Sequence, residues 1–158
     1  MIGKIVTGKS FGGAVRYLLG KEPGKAYILT SDGVELTSRQ ALIGSFEFQR
    51  RARPDVERVV GHISLSFHPD DDPRMSEQLM LDLAREYMQR MEITGTQYLV
   101  VRHTDTKHPH LHILYNRVRY DTTLVPDRNE RLRNMRICKE LKLSLIHISE
   151  PTRPISIS

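Results

Sequence analysis

The sequence contains one cysteine, Cys138. A single thiol excludes an internal disulfide and fits a reducing cytoplasm. No apolar run is long enough to span a bilayer, so stable membrane insertion is not expected. The N-terminus, MIGKIVTGKSFGG, lacks the apolar stretch of a secretory signal. Internal repeats are absent too. What remains is the composition of a soluble globular chain: 158 residues, 39% apolar and 27% charged, enough for one domain with its own core.

The net charge of +5 is unevenly spread. Residues 1–60 carry 10 Lys/Arg against 6 Asp/Glu, residues 61–95 carry 3 against 7, and residues 96–142 carry 10 against 5. Two basic stretches therefore flank an acidic one. A polyanion near the basic parts is compatible with this pattern, as is an ordinary mixed surface.

Along the chain, residues 1–7 read as a strand. Ser10 is positioned to cap a helix over about 11–20 that carries Ala14, Val15, Tyr17, Leu18 and Leu19 and ends at Gly20. Lys25–Leu29 reads as a second strand, closed by Ser31-Asp32-Gly33. Residues 38–52 read as a helix or helix pair. From His62 to Phe67 the chain alternates, with His62, Ser64 and Ser66 on one face and Ile63, Leu65 and Phe67 on the other. Residues 75–91 have the apolar spacing of an amphipathic helix, with Gly95 as its stop. Strands follow over Gln97–His103 and His110–Val118, and a basic helix over 129–142 with Asn129 as a possible cap. The order β-α-β-α-β-α-β-β-α ends in a hairpin, which a doubly wound parallel fold would not. The spacing predicts an α+β fold, a central antiparallel sheet with flanking helices.

Four of the seven histidines fall within ten residues, at 103, 108, 110 and 112. His110 and His112 share a strand face. If His103 pairs opposite His110 across the loop 104–109, all three imidazoles converge on one side of the sheet. Three neutral imidazoles with open positions are the ligand set of a catalytic metal rather than a closed structural one. His108, before Pro109, is expected to point elsewhere. Asp105 and Asn116 are candidates to hold a ligand's second ring nitrogen.

The segment Leu143–Arg153, LSLIHISEPTR, resembles the translation of a transposon-based sequencing-library adaptor over eleven consecutive residues. The expectation is a domain over 1–142, incomplete at its C-terminus, followed by a non-native tail over 143–158. His147 then carries no functional weight.

The stretch His103-Thr-Asp-Thr-Lys-His-Pro-His-Leu-His-Ile-Leu-Tyr-Asn116 resembles the third motif, HxDxxxPHxHxxxN, of plasmid mobilization relaxases of the MOBP class. Gly61-His-Ile-Ser-Leu-Ser-Phe-His-Pro-Asp-Asp71 resembles their second motif. Lys4-Ile-Val-Thr with Gly12-Gly-Ala-Val-Arg-Tyr17-Leu resembles the first, where a tyrosine sits on the first helix. The wording is most similar to mobilization proteins of Bacteroides-type elements, over about residues 1–142. The resemblance implies the HUH endonuclease (relaxase) fold, with paired histidines on a middle strand and a nucleophilic tyrosine on a nearby helix. It implies nicking of one DNA strand at an origin of transfer, a 5′ phosphotyrosine, and later resealing. Implied partners are single-stranded DNA at that origin, relaxosome accessory proteins and a type IV secretion coupling protein, in a bacterial cytoplasm.

On that resemblance Tyr17 is the expected nucleophile, with His103, His110 and His112 the metal ligands. On residue logic alone Tyr27, Tyr87, Tyr98, Tyr115 and Tyr120 compete with it. A phenolate attacks better than a phenol, whose pKa is about 10, so a nearby charge or a base such as Asp105 would have to help. Ser66 or His62 is expected to contact the DNA backbone or support the metal, beside Ser64. Lys4, Lys9, Arg102, Lys107 and Arg117 are candidates to grip phosphates. Ligand chemistry favours zinc, manganese, nickel or copper over Mg2+, while the family implies Mg2+ or Mn2+. Two other readings stand beside this one: a rolling-circle initiator or transposase of the same fold, or a non-catalytic fragment that binds single-stranded DNA.

Overall fold

The computed structural model describes residues 1–20, 24–68, 75–104, 106–108 and 110–149, with 145–149 as backbone only. The elements are β1 (Ile2–Gly8), α1 (Phe11–Leu19), β2 (Ala26–Asp32), α2 (Arg39–Arg50), β3 (Val60–Ser66), α3 (Glu77–Arg90), β4 (Tyr98–His103), β5 (His110–Asn116) and α4 (Glu130–Ser149). Their order is the one expected from the sequence. The five strands form one sheet in the order β1-β3-β5-β4-β2, every neighbouring pair antiparallel. β5 is the middle strand, which places the His-X-His pair at the centre of the sheet.

Strand alternation gives the sheet two unlike faces. Ile63, Leu65, Val100, Leu111, Ile113 and Tyr115 point to one side and pack under α3 and α4 in the larger core. Leu99, Val101 and Leu114 point to the other and pack under α1 and α2 with Phe11, Val15, Leu18, Leu42 and Phe46. Phe11 and Phe46 stack with ring centroids 4.7 Å apart, which fixes α1 against α2. This second cover is partial: beyond Val101 the same face carries the histidines.

Each of the first three helices starts on a serine. The Ser10, Ser38 and Ser76 hydroxyls accept from the backbone N–H of Gly13, Ala41 and Leu79 at 3.0, 3.0 and 3.1 Å. Each such cap is worth about 1 kcal/mol. α4 is fastened through Asn134, whose amide donates to the Gly3 carbonyl at 2.7 Å and accepts the Tyr87 hydroxyl at 2.6 Å. A side chain at position 3 would collide with the Asn134 amide, so β1 passes close beneath α4 only as glycine.

Several boundaries shift from expectation, those of β2, α3 and α4 among them. β2 runs on to Asp32, because its pairing with β4 continues past an irregularity between Ile28 and Thr30 as far as Tyr98. α3 ends at Arg90, one residue short of the expected 91, and the closing turn is made at Glu92 rather than at Gly95. Glu92 takes the left-handed conformation (φ 62°), and the Ile93 and Glu92 N–H groups bond back to the Met88 and Gln89 carbonyls at 2.9 and 3.2 Å. That is a helix-closing turn that usually uses glycine. α4 continues beyond residue 142 to Ser149. No described helix is long and apolar enough to cross a membrane.

Candidate metal centre and its surroundings

The β4–β5 hairpin sets His103 opposite His110, as its loop length predicts. Partners opposed across an antiparallel sheet share a face, so rows of side chains can be read across all five strands. One row is Ala26, His103, His110, Ser66 and Ile2. The next is Ile28, Val101, His112, Ser64 and Lys4. A third holds Leu99, Leu114, His62 and Val6. The histidine cluster is where these rows leave the apolar cover of α1 and α2.

His103, His110 and His112 each offer a nitrogen, and these three atoms lie within 4.8 Å of one another. His103 and His112 are buried, at 2% and 5% exposure; His110 is half-buried. Two of the rings are oriented by backbone carbonyls. His103 Nε2 donates to the Leu18 carbonyl at 2.9 Å, and His110 Nδ1 donates to the His108 carbonyl at 3.1 Å. A carbonyl only accepts, so in a neutral His103 ring the lone pair falls on Nδ1, whereas His110 Nδ1 also lies 3.2 Å from the Thr106 hydroxyl, which can donate or accept. His112 Nδ1 lies 2.8 Å from His62 Nε2. His62 is half-buried, and burial, with His103 close by, holds its pKa below the ordinary histidine value. His108 enters through its carbonyl rather than its ring.

Tyr17 stands over this cluster. Its ring centroid is 6.0 Å from His62, 6.1 Å from His112 and 6.5 Å from His103. Phe11, Val15 and Leu18 turn the buried side of α1 inward, which leaves Tyr17 56% exposed. The competing tyrosines are occupied elsewhere. Tyr87 and Tyr115 are buried in the larger core, and burial pushes both phenols far up. Tyr120 donates to Asp32 at 2.7 Å and is likewise raised, by burial first and then by that carboxylate. Tyr98 packs against the larger core, and Tyr27 pairs with Arg102 on the opposite face.

The remaining candidates divide. Ser64, Ser66 and exposed Lys4 share the histidine face, and Lys107 is exposed in the adjoining loop. Arg102 alternates to the opposite face, beside Leu111. Lys9 pairs with Glu57 at 3.0 Å where the chain enters α1. Arg117 lies past the other end of β5, donating to the Arg58 carbonyl at 3.0 Å and pairing with Asp127 at 3.3 Å. Asp105 lies outside the described residues.

Asn116 corrects the sequence reading. It is wholly buried four residues beyond His112, and a strand advances about 3.3 Å per residue. Its amide donates to the Phe46 carbonyl and Gln97 Oε1 and accepts from the Val118 N–H. It braces the far end of β5 and holds no histidine ring. The groups that do hold the rings, the Leu18 and His108 carbonyls, are backbone atoms with no sequence signature. Sequence reading also missed a cavity of about 560 Å³ beside His110, walled by Met1, Ile2, Ser66, Phe67, Thr106 and His108.

The family model described as "Relaxase: MobA/VirD2-like, nuclease domain" matches residues 17–145. The chain belongs to this relaxase family. The match spans Tyr17, β3, the β4–β5 hairpin and most of α4. Membership gives the relaxase domain the activity class of a DNA-nicking endonuclease acting on single-stranded DNA. No curated protein matches the chain. Relaxase nuclease domains depend on a metal, and the donor set here suits one: three imidazole nitrogens, two of them already oriented by carbonyls.

Proposed function

We propose that this relaxase domain cuts and rejoins one DNA strand at an origin of transfer, with Tyr17 as the nucleophile. The observation that carries this reading is the Tyr17 ring, exposed to solvent and within 6.0–6.5 Å of His62, His103 and His112. Tyr17 Oη attacks the scissile phosphorus. The bond from phosphorus to the 3′ oxygen breaks, and that oxygen leaves as a 3′ hydroxyl. The 5′ phosphate stays on Tyr17 as a phosphotyrosine, an exchange of one phosphoester for another, so a 3′ hydroxyl can reverse it.

His103, His110 and His112 would hold the divalent ion, Mn2+ or Mg2+ in function, with Zn2+ also suited to imidazole. When bound, the ion supplies Lewis-acid stabilisation of the charge on the non-bridging phosphate oxygens. The chain's own residues do the rest. α1 presents Tyr17, and Lys4, Ser64 and Ser66 line the sheet beside the cluster where a strand of DNA would lie. Of the more distant basic candidates, exposed Lys107 is the best placed to meet phosphate. The same reading brings relaxosome accessory proteins, a secretion coupling protein and a bacterial cytoplasm as the setting. It also takes residues 1–142 as the native domain and 143–158 as an added tail; the family match reaches only three residues into that tail.

The test is a nicking assay on origin single strand with Mn2+ and a metal-stripped control. The expected result is a covalent protein–DNA adduct only with metal. Binding without cleavage, with metal present, would favour the non-catalytic fragment instead.

A further inference from the structure

The three ligand histidines are not oriented alike. His103 Nε2 donates to a main-chain carbonyl, which fixes where its proton sits, and His110 Nδ1 has both a main-chain carbonyl and the Thr106 hydroxyl within reach. His112 has no such one-way partner in its 2.8 Å contact, because His62 Nε2 can donate or accept. Only one of the two arrangements suits a metal. If His62 donates, His112 carries its proton on Nε2 and that nitrogen has no lone pair to give. If His112 Nδ1–H donates, its lone pair lies on Nε2.

We propose that His62 is the positioning residue of the metal centre, its Nε2 accepting the Nδ1–H of His112 and so fixing Nε2 of His112 as the coordinating atom. This rests on the reading that His103, His110 and His112 hold a divalent ion. Metal-bound histidines generally donate their second N–H to a carboxylate or carbonyl; here an imidazole from the neighbouring strand takes that place. The fold prepares it. β3 pairs with β5 so that Ser64 faces His112 and His62 faces Leu114, which makes His62 the diagonal neighbour of His112 on the same face. The two ring centroids are 5.0 Å apart. Tyr17 closes over His62 edge-on, so His62 is half-buried and its ring is held on both sides. His62 thus acts through His112, and its effect belongs to metal binding without DNA.

The experiment uses the full chain without DNA. Mn2+ is titrated calorimetrically into wild type, His62→Ala and His62→Gln, and long-range nitrogen–proton NMR reads the histidine tautomers of metal-free wild type. The expected result is a proton on Nδ1 of His112 and a loss of about 10- to 100-fold in Mn2+ affinity for His62→Ala. His62→Gln, whose amide oxygen can accept the same bond, should recover most of that loss. A His112 proton on Nε2 in wild type would overturn the proposal whatever the variants do. So would His62→Ala binding Mn2+ as wild type does, or a folded His62→Gln as weak as His62→Ala, which would mean packing alone. A wild type that binds no Mn2+ would overturn the metal reading itself, whereas a silent His62→Ala overturns only the role of His62.

Discussion

The two ends of β5 bury polar side chains to opposite purpose. At the far end Asn116 is fully enclosed, its amide satisfied by Phe46, Gln97 and Val118. Gln97 in turn donates to the Gly33 and Ser45 carbonyls, each at 2.8 Å, and the Thr96 hydroxyl bonds the Asn116 carbonyl. Every amide donor and acceptor of the Asn116 and Gln97 side chains finds a partner, and the knot ties α2, β4 and β5 together. At the near end the histidine protons are directed outward, to Leu18 and His108, and three nitrogens are gathered within 4.8 Å. Buried polar groups that answer one another hold a fold. Buried acceptors collected around one point create a demand for a cation, which is what a relaxase site needs beside a phosphate.

That contrast can be broken in four places. The largest effect falls on Tyr17: a Tyr17→Phe variant should form no covalent adduct with origin single strand on a denaturing gel, while still binding it. An adduct that persists would move the nucleophile to another tyrosine. His112→Ala should lower the nicking rate on the order of a hundredfold to a thousandfold, as chelation does for wild type, with little change in the urea midpoint. Asn116→Ala should do the reverse. It strands buried partners and should cost about 1–3 kcal/mol of stability, with Mn2+ affinity unchanged; a loss of affinity to match that of His112→Ala would erase the distinction between the two ends. Smallest is Lys4→Ala, which removes one candidate phosphate contact from the histidine face. Single-strand affinity measured against salt should lose about 0.7 from its logarithmic slope, and an unchanged slope would take Lys4 off the DNA path.

What the sequence made legible here was local or periodic. The His103–His110 pairing follows from two strands and a short loop, and the i, i+2 spacing puts His112 on the same face. The serine caps and the alternation of β3 are equally short-range. Strand order is not, and the contact between His62 and His112 exists only because β3 lies beside β5. Asn116 was misassigned because closeness to the histidines in the motif is not closeness in space: the strand carries it to the other end of the sheet. The residue that closes α3 was missed, though not the end of the helix, because Glu92 adopts a conformation usually left to glycine. Arg102 and Arg117 were candidate phosphate ligands by adjacency; strand alternation turns Arg102 to the face opposite the histidines, and Arg117 pairs with Asp127 past the far end of β5.

The bond from His103 to the Leu18 carbonyl has a second meaning. Leu18 is in the last turn of α1, where carbonyls lack partners within the helix, and Gly20 does not supply the left-handed turn that often closes one. His103 therefore serves as the C-cap of the helix that carries Tyr17, while Arg39 caps the next carbonyl, that of Leu19, at 2.7 Å. The proposed ligand of the metal and the stop of the helix that carries Tyr17 are the same side chain. Fraying of that last turn and loosening of His103 become one event, so Tyr17, as the proposed nucleophile, is held at high effective concentration for as long as His103 keeps its place.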